Sequence, residues 1–220
     1  MGKLYISNKD ESVRMFQNDI LDLLSRVHWS VPLFIFIPVI IISLVYAVFV
    51  FELTTLTTIL YFLFGIFVWT FTEYALHRFI FHYNAKSEFG KKIHFIFHGV
   101  HHSYPKDSKR LVMPPSVSIP LAGLFFMLFY YILGHILVAP FFAGFILGYL
   151  FYDMTHYAVH HLKFKNKFWL AIKNHHMLHH YKYDDKGFGV SQPAWDFLFG
   201  TTFPEKSKSN TVSKQTVQTS

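Results

Sequence analysis

The chain has 220 residues, of which 52% are hydrophobic, 20% aromatic and 15% charged, with a formal charge of +7 and no cysteine. So apolar a composition departs from that of a soluble domain and points to a membrane protein. Without cysteine, thiolate-ligated haem, iron–sulfur clusters and cysteine-containing zinc sites are excluded, and so is any disulfide.

Residues 10–29 place Met15, Phe16, Ile20, Leu23, Leu24 and Val27 at near-helical spacing among Asp19, Asp22 and Arg26. This predicts an amphipathic interfacial helix within an N-terminal segment spanning 1–29. Val31 to Phe51 carries no charge, and after Glu52 comes a second uncharged run, Leu53 to Thr72. Each meets the roughly 20 residues a spanning helix needs. The first run is too long for a cleavable signal peptide, and no small-residue cleavage site follows it. A third apolar run covers Ile119 to Val138 and a fourth runs from Pro140 through Phe151, with Pro140 read as the break between them.

The connections at Phe51–Thr54 and around Ala139–Pro140 leave room only for tight turns, so the runs read as two hairpins. All twenty Lys and Arg lie outside those turns, which by the positive-inside rule puts both termini and the middle segment in the cytosol. The expected fold is an all-α integral membrane domain over 30–203. Four transmembrane helices form two hairpins, and a cytosolic helical cap carries a histidine-rich dinuclear metal site. A Ser/Thr/Lys/Gln-rich disordered tail is expected over 204–220. The positive charge is topology first; it also suits anionic headgroups or an acidic redox partner. No nucleic acid partner is expected.

Ten of the fifteen histidines fall in four clusters: His77-x4-His82, His98-x2-His101-His102, His156-x3-His160 and His176-x2-His179-His180. Neutral imidazole is the commonest nitrogen ligand for zinc, iron and copper, and spacings of three and four residues share a helix face. His98 and His102 can chelate one ion while His101 is turned away toward another, and His176 and His180 separate from His179 in the same way. The ten divide into one set of His77, His82, His98, His102 and His179, and a second of His101, His156, His160, His176 and His180. His28 and His135 read as structural residues, and His94, His161 and His175 as groups beside the clusters. Asp153, one helical turn before His156, is placed to accept an imidazole N–H and fix its tautomer, or else simply to meet water at a helix end. Asn174 has weaker grounds for the same role.

The HExxH motif of zinc proteases and the Glu-x-x-His motif of soluble di-iron bundles are absent. A single-zinc hydrolase needs fewer ligands than these ten. A metal transporter would carry its ligands along the spans rather than at one surface.

The clusters resemble those of the membrane histidine-box superfamily of fatty acid hydroxylases, sterol oxidases and desaturases. Four flanking segments resemble fatty acid 2-hydroxylases in particular: EYALHRFIFH at 73–82, HFIFHGVHHSYPKDSKRLVMPP at 94–115, GYLFYDMTHY at 148–157 and NHHMLHHYKYDDKGFGVSQPAWDFLFGT at 174–201. The resemblance implies insertion of one oxygen atom from O2 at carbon 2 of a long-chain fatty acid or of a sphingolipid acyl chain such as that of ceramide. It implies two metal ions on the histidines of these boxes. Iron is what the redox chemistry demands, and zinc found there would mark substitution, since zinc has no redox chemistry. Many eukaryotic members carry an N-terminal haem electron-carrier domain that this sequence lacks, so a separate electron-donor protein is expected. The membrane is that of the endoplasmic reticulum or a bacterial inner membrane. A desaturase or a sterol or carotenoid oxidase of the same superfamily is the alternative.

Overall fold

Long apolar runs fold into long helices, and these set the frame of the molecule. The computed structural model describes residues 4–204, and no strand occurs among them. The expected tail lies outside the described residues except at its first position. Helix α1 (Asp19–Leu24) is followed by α2 (Val31–Val45), which runs on through a π-helical turn at Tyr46–Val50. The chain turns at Glu52, whose φ is +49°, and Thr54 caps α3 (Thr55–Ala75) by accepting from the Thr57 amide at 3.2 Å. A second π-helical turn, Leu76–Phe81, continues α3.

The middle segment holds α4 (Glu88–His94), a third π-helical turn (Phe95–Gly99) and α5 (Val100–Ser103). Then come α6 (Pro115–His161), α7 (Lys167–Tyr181) and the short α8 (Ala194–Leu198). Three stretches, Val31–Val50, Thr55–Phe81 and Pro115–His161, are long and apolar enough to cross a membrane.

Two sequence expectations are corrected. The break in the last apolar stretch is at Gly134 (φ 74°, ψ 171°), and Pro140 is carried inside the helix. Only glycine reaches that backbone conformation without strain, whereas the fixed φ of proline is itself helical. The N-terminal amphipathic helix is confined to Asp19–Leu24. Its Asn18 cap accepts from Ile20 and Leu21 at 3.0 and 3.1 Å, while Asp22 turns back to accept from the Met15 amide at 2.8 Å and holds the preceding residues in a loop. Ile20 and Leu23 stay exposed, at 68% and 71%.

Helix α6 packs against α2 and α3 around Phe36, Trp69, Phe129, Phe141, Phe145 and Tyr149. Trp69 meets Phe145 edge-on at 5.1 Å. The close approach depends on missing side chains: a Cβ on Gly65 would lie 2.0 Å from the Phe141 carbonyl oxygen, and one on Gly144 would lie 1.9 Å from that of Phe62. Small residues bring membrane helices together in this way. The contact fixes the end of α6 beside the end of α3, where the histidines begin.

Candidate metal centre

His77 lies in the π-helical turn that ends α3, and His82 caps it. His98 lies in the turn after α4, His101 and His102 on α5, His156 and His160 in the last turns of α6, and His176, His179 and His180 on α7. The structure brings these ten together as two groups of five. His77, His82, His98, His102 and His179 form one, and His101, His156, His160, His176 and His180 the other; in each, the possible ligand atoms lie within 4.8 Å of one another. The membership is that expected from the spacing. The groups abut, with the rings of His102 and His180 stacked 4.2 Å apart.

In both groups the Nε2 atoms converge. In the first, His98 Nε2 lies 3.1 Å from that of His77 and 3.0 Å from that of His102, and His82 and His179 approach to 3.0 Å. In the second, His101 and His156 are 2.8 Å apart, and His176 lies 2.9 Å from His160 and 3.1 Å from His180. Two nitrogens at right angles around an ion, each bound at about 2.1 Å, stand about 3.0 Å apart.

The tautomers agree with that reading. His77 Nδ1 donates to the Phe188 carbonyl at 2.5 Å and His179 Nδ1 to that of Lys186 at 2.7 Å, so in these neutral rings Nε2 carries only a lone pair. Burial first, and neighbouring imidazoles second, hold His98, His101, His102, His176 and His180 well below their ordinary values. Burial pushes His82 down to about 2, and pushes His179 down to about 4 against the opposing pull of the Lys186 carbonyl. Buried imidazoles whose Nε2 atoms converge in this way fit a metal ion.

Asp153 is buried, but no hydrogen bond joins it to His156 among the described residues. His156 Nδ1, the nitrogen such a brace would use, has no partner among them, and Asp153 lies beside the Tyr149 hydroxyl and the Met113 backbone. The carboxylate instead faces a cavity of about 220 Å³ that also reaches His98, His101 and His156. Through the shared walls Phe81, Phe97, Met113, Ser116 and Val117 this cavity adjoins an open groove of about 650 Å³ that continues along Leu121 and Leu124.

The remaining histidines stay outside both groups. His28 Nδ1 pairs with Ser30 Oγ at 2.8 Å. His135 is exposed and touches the Phe51 ring, and His161 stacks on Tyr157. His94 lines the open groove, and Asn174 is exposed. His175 bonds Asp196 Oδ2 at 3.1 Å. Sequence reasoning missed Glu73 and Asp196, both buried. The signal for Glu73 was present: a lone carboxylate near the end of an apolar span, four residues before His77.

A family model described as fatty acid hydroxylase matches residues 62–201. The chain is 38% identical over 193 residues to a dihydroceramide fatty acyl 2-hydroxylase of Arabidopsis thaliana, covering 87% of this chain and 80% of that one. It is 40% identical over 148 residues to the fatty acid 2-hydroxylase of Homo sapiens, covering 66% of this chain and 40% of that relative. A solved structure described as full-length scs7p, with only its hydroxylase domain visible, superposes with a TM-score of 0.80 at 36% identity, over 86% of this chain and 71% of that one. The two histidine groups lie within the matched region, and the chain belongs to the fatty acid hydroxylase family.

Proposed function

We propose that this protein is a membrane monooxygenase that hydroxylates carbon 2 of a long acyl chain, presented as a free fatty acid or within a ceramide-type sphingolipid. One atom of O2 enters the product and the other leaves as water, with two electrons and two protons supplied from outside. A donor protein delivers the electrons. The observation that carries this reading is the adjacency of two five-histidine groups to a cavity that adjoins an apolar groove. The names of the relatives, which specify fatty acid or dihydroceramide acyl 2-hydroxylation, support the same substrate class.

His77, His82, His98, His102 and His179 would hold one ion, and His101, His156, His160, His176 and His180 the other. Iron bound there supplies the redox chemistry that activates O2. The chain does the placing. Phe81, Phe97, Met113, Val117, Leu121 and Leu124 give the acyl tail an apolar bed and exclude water from it. Asp153, buried on the cavity wall, accepts a hydrogen bond from the N–H or O–H of the substrate's polar end. That contact sets which carbon lies beside His98, His101 and His156.

The working topology has four passes, because Gly134 divides α6 into two lengths of helix. The stretch from Pro115 to Gly134 rises about 30 Å at 1.5 Å per residue, enough for one bilayer crossing. Both termini and the histidines then face the cytosol, the side that receives all the Lys and Arg. The domain spans 30–203, preceded by an interfacial segment.

Expression in a host that makes sphingolipids but no 2-hydroxy acyl chains, followed by lipid mass spectrometry, tests the assignment. A 2-hydroxy product with the parent and none with His176→Ala is expected. A new double bond, or oxygen on a sterol, would overturn it.

A further inference from the structure

Five consecutive backbone amides, Gly187 to Ser191, all donate to fixed acceptors. Gly187 donates to the Thr201 carbonyl at 2.9 Å. Phe188 and Gly189 donate to the two oxygens of Asp196 at 2.9 and 2.8 Å. Val190 and Ser191 donate to Glu73 Oε1 at 2.8 and 2.7 Å, and the Ser191 hydroxyl bonds the other Glu73 oxygen. Asp196 is itself steadied by the Thr201 hydroxyl at 2.7 Å and by His175. A loop whose N–H groups all point into two buried carboxylates and a carbonyl has little freedom left. Its outward carbonyls, Lys186 and Phe188, are those that accept from His179 and His77.

The second group has no such support. Nδ1 of His101, His160, His176 and His180 is buried and has no hydrogen-bond partner among the described residues. The Leu111 carbonyl lies beside His156, yet its Nδ1 is likewise outside hydrogen-bond geometry. A carbonyl on the far nitrogen fixes the tautomer and orientation of a ligating imidazole and raises its basicity; losing one costs about 10- to 100-fold in metal affinity.

We propose that Glu73 and Asp196 are positioning residues which, through the 186–191 loop, make the group of His77, His82, His98, His102 and His179 the retentive metal site and leave the other group the more easily emptied one. The inference rests on the two-metal reading above. Glu73 and Asp196 touch no ligand; they act through the backbone that orients His77 and His179.

The test is zinc release from the zinc-loaded full-length protein in detergent, followed with a chromogenic chelator. Two zinc ions per chain are expected, one leaving at least about tenfold more slowly than the other. His82→Ala should lose the slow phase and His160→Ala the fast one. Glu73→Ala and Asp196→Ala should speed the slow phase about 10- to 100-fold and leave the fast phase alone. Glu73→Gln, which keeps an acceptor oxygen for the two amides, should restore slow release. Equal release of both ions from the parent, or slow release lost with His160→Ala instead of His82→Ala, overturns the asymmetry even if the alanine variants fail to fold. An unchanged slow phase in both alanine variants removes Glu73 and Asp196 from the account. Failure of the parent to hold two zinc ions would overturn the two-metal reading itself, and the asymmetry with it.

Discussion

The amide of His82 donates to the carbonyl of His77 at 3.0 Å, a hydrogen bond spanning five residues, so the two imidazoles share a face with ring centroids 4.9 Å apart. In an α-helix a spacing of five would place them about 140° apart; the wider π-helical turn narrows that offset. Inserting one alanine between Phe79 and Ile80 should carry His82 off this face. Metal content is expected to fall from two ions per chain to one, with activity lost. Retention of both ions, measured by elemental analysis, would contradict the pairing.

The convergent histidines and the outlying ones should separate cleanly. His101→Ala and His176→Ala each remove a buried nitrogen from the second group, and turnover should fall at least about 100-fold with less bound metal. His135, exposed beside Phe51, belongs to neither group, and His135→Ala should match the parent in both assays.

The contact of α3 with α6 has no room for a methyl group. Gly144→Ala would set a Cβ 1.9 Å from the Phe62 carbonyl oxygen, and overpacking of this kind costs about 1–3 kcal/mol. Gly123, on the same helix with nothing within 4 Å of its Cβ position, is the control. Gly123→Ala should be neutral or stabilising by up to about 1 kcal/mol in thermal unfolding.

Asp22 ties the N-terminal segment to the 106–112 stretch through Arg110, at 3.2 Å. Its carboxylate is held below the ordinary range by the Met15 amide against the opposing effect of burial, with help from the Phe16 amide, Arg26 and Arg110. Because the folded state binds this proton less readily than the unfolded chain, the contribution is fully present above about pH 4 and is lost as pH falls through the folded value. The gap in melting temperature between the parent and Asp22→Asn should stay constant from about pH 8 to 5 and narrow below about 4. A gap that instead opens on acidification would reverse the sign.

Where function sits in side chains, the sequence was legible. The histidine spacing is legible where α6 and α7 are regular helices, on which one face repeats every three or four residues. The apolar runs delivered the long helices through their length. Illegible were the features carried by backbone. Nothing in the spacing of His77 and His82 announces a π-helical turn. Gly134 looked like any glycine in an apolar run while Pro140 looked like a break. Glu73 and Asp196 bond amides that only the tertiary fold brings to them. For Asp153 the one-turn spacing allowed a brace for His156 or a helix-end residue meeting water; the carboxylate is buried and lines the cavity, and His156 Nδ1 has no partner among the described residues.

The most direct test of the account is turnover by the purified protein, reconstituted with iron and a reducing system, under oxygen-18 gas in ordinary water. The account predicts a single oxygen-18 atom at carbon 2 of the acyl chain and no product with His176→Ala. Oxygen drawn from water, turnover without O2, or label at another carbon would contradict it.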